Sequence, residues 1–120
     1  MRRHKRAYSE YAIAAFVRAA ELGYPSLEEI KSISTSKPVR EDLRAVHNTF
    51  EELCRAGRKD YVSAVMAIYK PYGQGERITG LLHDRVVAYS MNCAYGEASV
   101  YRMLSHARCI FAKKRGLTVE

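Results

Sequence analysis

Tryptophan is absent from this sequence, and cysteine and proline occur only three times each in 120 residues. Cys54, Cys93 and Cys109 are far apart and form no Cys-x-x-Cys pair. That excludes a disulfide framework and the usual small zinc modules, and it points to a reducing cytoplasm. No apolar run approaches ~18 residues, so no membrane span is expected. The basic N-terminus is not followed by an apolar stretch with a cleavage pattern, so no secretory signal is expected either. Alternating apolar and polar residues are scarce, which leaves little basis for β-strands. The length excludes Rossmann and barrel folds.

What is present fits a folded chain. Apolar residues make up 48% and charged residues 28%, and a chain of this size buries roughly two-thirds of its unfolded surface. The net charge is +7, which favours an anionic partner, nucleic acid above all. The excess sits at the ends. Arg2, Arg3, Lys5 and Arg6 form a basic arm with no acid beside them, and residues 97–120 carry five bases against two acids. The middle of the chain is close to neutral.

The apolar period is helical along the chain. Over residues 8–22, Tyr11, Ala12, Ala15, Phe16, Ala19 and Leu22 share one face, with Gly23 as the stop. Ser26 is placed to cap a short helix that has Glu28 and Glu29 in its first turn. Residues 32–38 read as a loop. Val39, Leu43, Val46, Phe50 and Leu53 repeat at helical spacing over 39–56, and Gly57 ends that helix. This stripe serves either the internal core or the seam of a homodimer. Asp60 is placed to cap a helix over 61–69. Residues 71–75 read as a turn-rich linker. Helices over 77–92 and 97–114 flank a three-residue break at Ala94, Tyr95 and Gly96, and Gly116 closes the last one.

The expected fold is therefore all-α: a small domain of five to six helices ending in a helix-turn-helix. Its N-terminal helical part with the basic arm covers 1–58, and the helix-turn-helix part covers 59–120, the two forming one compact domain. In the last helix Val100, Leu104 and Ala107 mark the buried side. Glu97, Ala98, Tyr101, Arg102 and Ser105 fall on the opposite face. A recognition helix needs such side chains near its N-terminus: short hydrogen-bonding groups and a guanidinium able to fork onto guanine. Arg85, Lys113, Lys114 and Arg115 are the expected phosphate anchors, and Gly96 is small enough for an abrupt helix start.

The run Glu97-Ala-Ser-Val-Tyr-Arg102 resembles the S-E-x-T-V-Y-R start of recognition helices in region 4 of sigma factors. The continuation from Leu104 to Leu117 is similar to the tail of small phage late-gene regulators, namely the RinA and ArpU type activators and the antitermination protein Q group. The resemblance covers about residues 60–117 and is strongest over 85–117. Ala94 stands where the family has glycine, and Tyr89-Ser90 where it has Ile-Ala. The resemblance implies a sigma-region-4-like helix-turn-helix on double-stranded DNA. It also implies a phage or prophage transcription regulator, an antiterminator or late-gene activator that acts with RNA polymerase. The reading from another class is a helical adaptor whose tyrosine-rich faces bind a protein without DNA recognition.

The remaining residues suggest no chemistry. Gly73 and Gly75 follow no strand and lack a P-loop lysine. No nucleophile–base set is visible, so no enzyme and no cofactor is expected. His106 and Cys109 lie at i, i+3 and could chelate with Cys93 or His83. The simpler reading makes Cys109 a small core residue and leaves His106 exposed or touching DNA. Dialysis against a strong chelator should then leave the circular dichroism spectrum unchanged, and a loss of helicity restored by zinc would make these residues ligands.

Overall fold

The computed structural model describes the backbone of residues 2–33, 35–71 and 78–117, and the side chains within those ranges except at 2–7 and 78–81. Six helices follow one another: α1 (Arg2–Glu21), α2 (Leu27–Ser32), α3 (Lys37–Arg55), α4 (Lys59–Ile68), α5 (Ile78–Met91) and α6 (Glu97–Arg115). The all-α class is as expected, and no strand occurs among the described residues.

The core gathers around Phe16 of α1. Its ring stacks on Phe50 of α3 at 6.0 Å and on Tyr69, just past α4, at 5.6 Å, and meets Phe111 of α6 at 5.6 Å. Phe16, Tyr69 and Phe111 are fully buried. Rings at these separations add offset and tilted contacts to the burial of their area. One aromatic cluster thus joins α1, α3, the end of α4 and α6. Residues 1–58 and 59–120 share it, and α6 packs against α1, α3, α4 and α5.

Local chemistry explains the helix ends. Ser26 and Glu29 form a reciprocal capping box at α2, satisfying two donors that the helix cannot pair itself. Pro38 lies in the first turn of α3, where its missing N–H costs nothing. At the end of α3 the Gly57 N–H donates to the Cys54 carbonyl and the Arg58 N–H to that of Leu53. This closure needs a left-handed residue, and Gly57 supplies it at φ +76°. Paired hydrogen bonds of the same pattern close α1 and α6.

Three expectations change. The basic N-terminal segment is no free arm in its backbone, since α1 is helical from Arg2 onward; the side chains of Arg2, Arg3, Lys5 and Arg6 lie outside the described residues. Asp60 is not the cap of α4. Arg58 occupies that position, because its N–H is already spent on closing α3, and Asp60 falls in the first turn. The break before α6 covers residues 92–96 rather than three. Most of the 71–75 linker, from Tyr72 to Gly75, lies outside the described residues.

Val100 has no exposed surface and sits where α6 meets its neighbours. Val100→Asp places a carboxylate there without a partner, which costs several kcal/mol. The variant should lose its cooperative circular dichroism melt, whereas an unchanged melt would mean that α6 is rotated about its axis.

Candidate nucleic-acid interface

The segment between α5 and α6 is fastened rather than loose. The Asn92 side-chain amide donates to the Ala88 carbonyl at 2.8 Å, and the Tyr95 N–H meets the Cys93 sulfur at 3.4 Å. The Tyr95 hydroxyl donates to Asp60 Oδ2 at 2.6 Å, while Asp60 Oδ1 accepts the Tyr61 N–H at 3.1 Å. That bond ties the turn to the first turn of α4, and the neighbouring carboxylate pushes the Tyr95 phenol above its ordinary range. Gly96 caps α6 at an ordinary φ of −77° with no side-chain bond. A Cβ there would meet nothing within 4 Å, so its small size is not what lets the helix begin.

The helix phase agrees with the sequence pattern. Val100, Leu104 and Ala107 are fully buried, whereas Glu97, Ala98, Arg102 and Ser105 are exposed. Among the described residues the exposed Arg102 guanidinium makes one short-range bond, to Ser99 Oγ at 3.1 Å. Tyr101 differs from the rest. It is half-buried, packs against the core, and its hydroxyl lies 2.9 Å from His83 Nδ1. Its phenol is turned toward α5, so it is not part of the open face.

Three of the four expected phosphate anchors are engaged within the fold. Arg85 donates through Nη1 to the carbonyls of Ile68 at 2.9 Å and Lys70 at 2.7 Å, and through Nη2 to Pro71 at 3.2 Å. It closes the C-terminal end of α4, where unpaired carbonyls carry partial negative charge. Arg115 bonds Asp42 through Nε at 2.7 Å and meets Glu41 at 3.3 Å, and Tyr11 donates to the same Asp42 oxygen at 2.8 Å. Lys114 pairs with Glu52 at 2.7 Å. Lys113 alone of the four is exposed and forms no ion pair among the described residues. The reason is geometric. Lys114 and Arg115 lie on the side of α6 that crosses α3, and α3 supplies all three carboxylates.

An arginine–histidine–tyrosine cluster that the sequence pattern missed lies beside this face. Arg58 Nη1 stands 3.2 Å from His106 Nε2, and the guanidinium lies over the Tyr61 ring, 5.1 Å from its centroid. Tyr61 meets the imidazole edge-on at 5.6 Å. Residues 58 and 106 are 48 positions apart, and no local period links them.

No family model, curated protein or solved structure matches the chain. Among the described residues no group of His, Cys, Asp and Glu side chains is placed to hold a metal ion. None of the helices described is long and apolar enough to cross a membrane.

Partial desolvation of the imidazole, on a residue that is otherwise exposed, and then the Arg58 guanidinium hold His106 below the ordinary histidine value of 6.5; Glu52 pulls it upward, and Lys113 adds the smallest downward push. The unfolded chain therefore binds the proton more readily, and stability falls as pH drops below about 6.5 until the folded imidazole is protonated too. Denaturant melts at a series of pH values should show this decline, and His106→Gln should flatten it. The Glu52 carboxylate, lowered chiefly by its Lys114 bond, adds a separate loss only below its ordinary 4.5.

Proposed function

We propose that the chain binds double-stranded DNA through α6, as a phage or prophage transcription regulator of the antitermination or late-gene type. The observation that carries the DNA reading is the division of the first turns of α6. Val100 and Leu104 anchor the helix in the core with no exposed surface, while Glu97, Ala98, Arg102 and Ser105 stand together in solvent. The turn before them is tied to α4 by Tyr95 and Asp60, so the helix end is held at a fixed angle. A helix presented in this way can enter a major groove with a guanidinium aimed at base edges. The regulator class, and action together with RNA polymerase, rest on the resemblance over residues 85–117. Cytoplasmic location follows from that reading.

Selection from a random duplex pool would supply the preferred site. On that site Arg102→Ala should cost about 1–3 kcal/mol while changing non-specific binding much less. Lys113→Ala should weaken all sequences alike and reduce the log–log salt slope by roughly one. Lys114 is a poor choice for this comparison, because its substitution also breaks the Glu52 pair. For four to six neutralised phosphates the slope should be about −4 to −5. Equal effects of both variants on selected and random DNA would mean that α6 reads no bases.

A further inference from the structure

A guanidinium ordered against a histidine with no carboxylate on it is an unusual use of a basic side chain. Arg58 is held from two sides, by the face of Tyr61 and by His106 Nε2. Its backbone is fixed as well, since its N–H closes α3 and its residue caps α4. Among the described residues it forms no ion pair with an acid, in contrast to Lys114 and Arg115. A guanidinium carries donors only. At 3.2 Å the imidazole must therefore present the lone pair of Nε2 and keep its proton on Nδ1. The surroundings reinforce that state. Arg58, at the cap of α4, and Tyr61 in its first turn both face the imidazole. Glu52 of α3 pulls the other way, toward the protonated ring, but its carboxylate is paired with Lys114 at 2.7 Å. On α6 itself Lys113 adds a second like charge.

The position of this cluster is as informative as its charge. His106 lies one turn beyond Arg102, a rise of about 6 Å, and Lys113 lies two turns further along nearly the same row of α6. Arg102, His106 and Lys113 are all exposed. Arg58 reaches the row from the start of α4, the element to which the α5–α6 turn is tied.

We propose that Arg58 and His106 form a seat for a backbone phosphate of DNA, with Lys113 two turns further along the same row as a separate phosphate contact, and that His106 takes up a proton when the phosphate arrives. This rests on the reading of α6 as a DNA-binding helix. A phosphodiester oxygen accepts hydrogen bonds from a guanidinium, an imidazolium and an ammonium alike, and such charge-assisted bonds are the strong ones. In the free protein, protonated His106 would set an N–H against the Arg58 guanidinium. With a phosphate between them both groups donate to the anion, and the repulsion is relieved. Binding and protonation then favour each other by linkage. The seat places one positioning contact immediately beyond the residues that face the bases.

The test uses the full chain and a 20-base-pair duplex of random sequence at low salt. The ring resonances of His106 are followed against pH by NMR, with and without the duplex, and affinity is measured by anisotropy between pH 7.5 and 5.5. The duplex should raise the midpoint of His106, and wild-type affinity should rise as pH falls. His106→Gln, which keeps an acceptor for Arg58, should lose that part of the response that belongs to residue 106. Arg58→Ala should weaken binding roughly three- to tenfold, as expected for one lost phosphate contact. Lys31→Ala, on the remote helix α2, controls for net charge. If the duplex binds but His106 titrates identically with and without it, the phosphate seat is overturned while the DNA-binding reading of α6 stands. If no duplex binds at any pH, both readings are overturned together. Circular dichroism of each variant separates a lost contact from a lost fold.

Discussion

The structure depends on covering α6. This helix of 19 residues carries Val100, Leu104, Ala107 and Phe111 along one line, all without exposed surface. No single neighbour can cover a row of that length, and α1, α3, α4 and α5 each take part. Phe16 is the contact through which three of these surroundings meet, since its ring touches Phe50, Tyr69 and Phe111. Burying such rings against one another supplies much of what offsets the entropy of ordering a small chain. The remaining helices are arranged as they are because α6 must be dry on one side.

The same helix is divided along its length and around its axis. Its C-terminal turns are clamped on α3 by Lys114 and Arg115, while its first turns leave Glu97, Ala98, Arg102 and Ser105 in water. A clamped base with an open end suits a rigid recognition element. It also means that the formal charge of +7 overstates what the surface offers an anion near α6. Arg85 serves carbonyls, and two of the last three bases serve carboxylates. The more exposed Lys114–Glu52 pair contributes little stability and the Arg115–Asp42 pair is partly buried, but both decide which cations remain available. Those are Arg102, Lys113 and the Arg58–His106 pair.

Much of the fold was legible in the sequence because helix signals are local. Gly23, Gly57 and Gly116 end helices as their positions suggested, with φ between +76° and +80°. Ser26 caps α2, and the apolar face of residues 8–22 is buried, apart from the partly exposed Tyr11 and Leu22. The errors were also local. Asp60 is a good capping residue by type, but the closure of α3 had already placed Arg58 at the cap. The break before α6 is longer than the sequence suggests, because Asn92 and Cys93 leave the helix without a strong breaker signal of their own.

The sequence by itself determined the all-α class, the order of the helices, and which side of α6 is buried. Each depends on spacing of three or four residues, and a helix enforces that spacing wherever it sits. Only the tertiary structure decided which charges are free. Whether Arg85 or Arg115 faces solvent depends on what lies opposite, and Ile68, Lys70, Asp42 and Glu41 are brought there by packing from 15 to more than 70 positions away. The meeting of Arg58 with His106 has the same origin. It exists because α4 and α6 are held together by the burial of Val65, Ile68, Val100 and Leu104 in a common core, and no pattern within either segment encodes it.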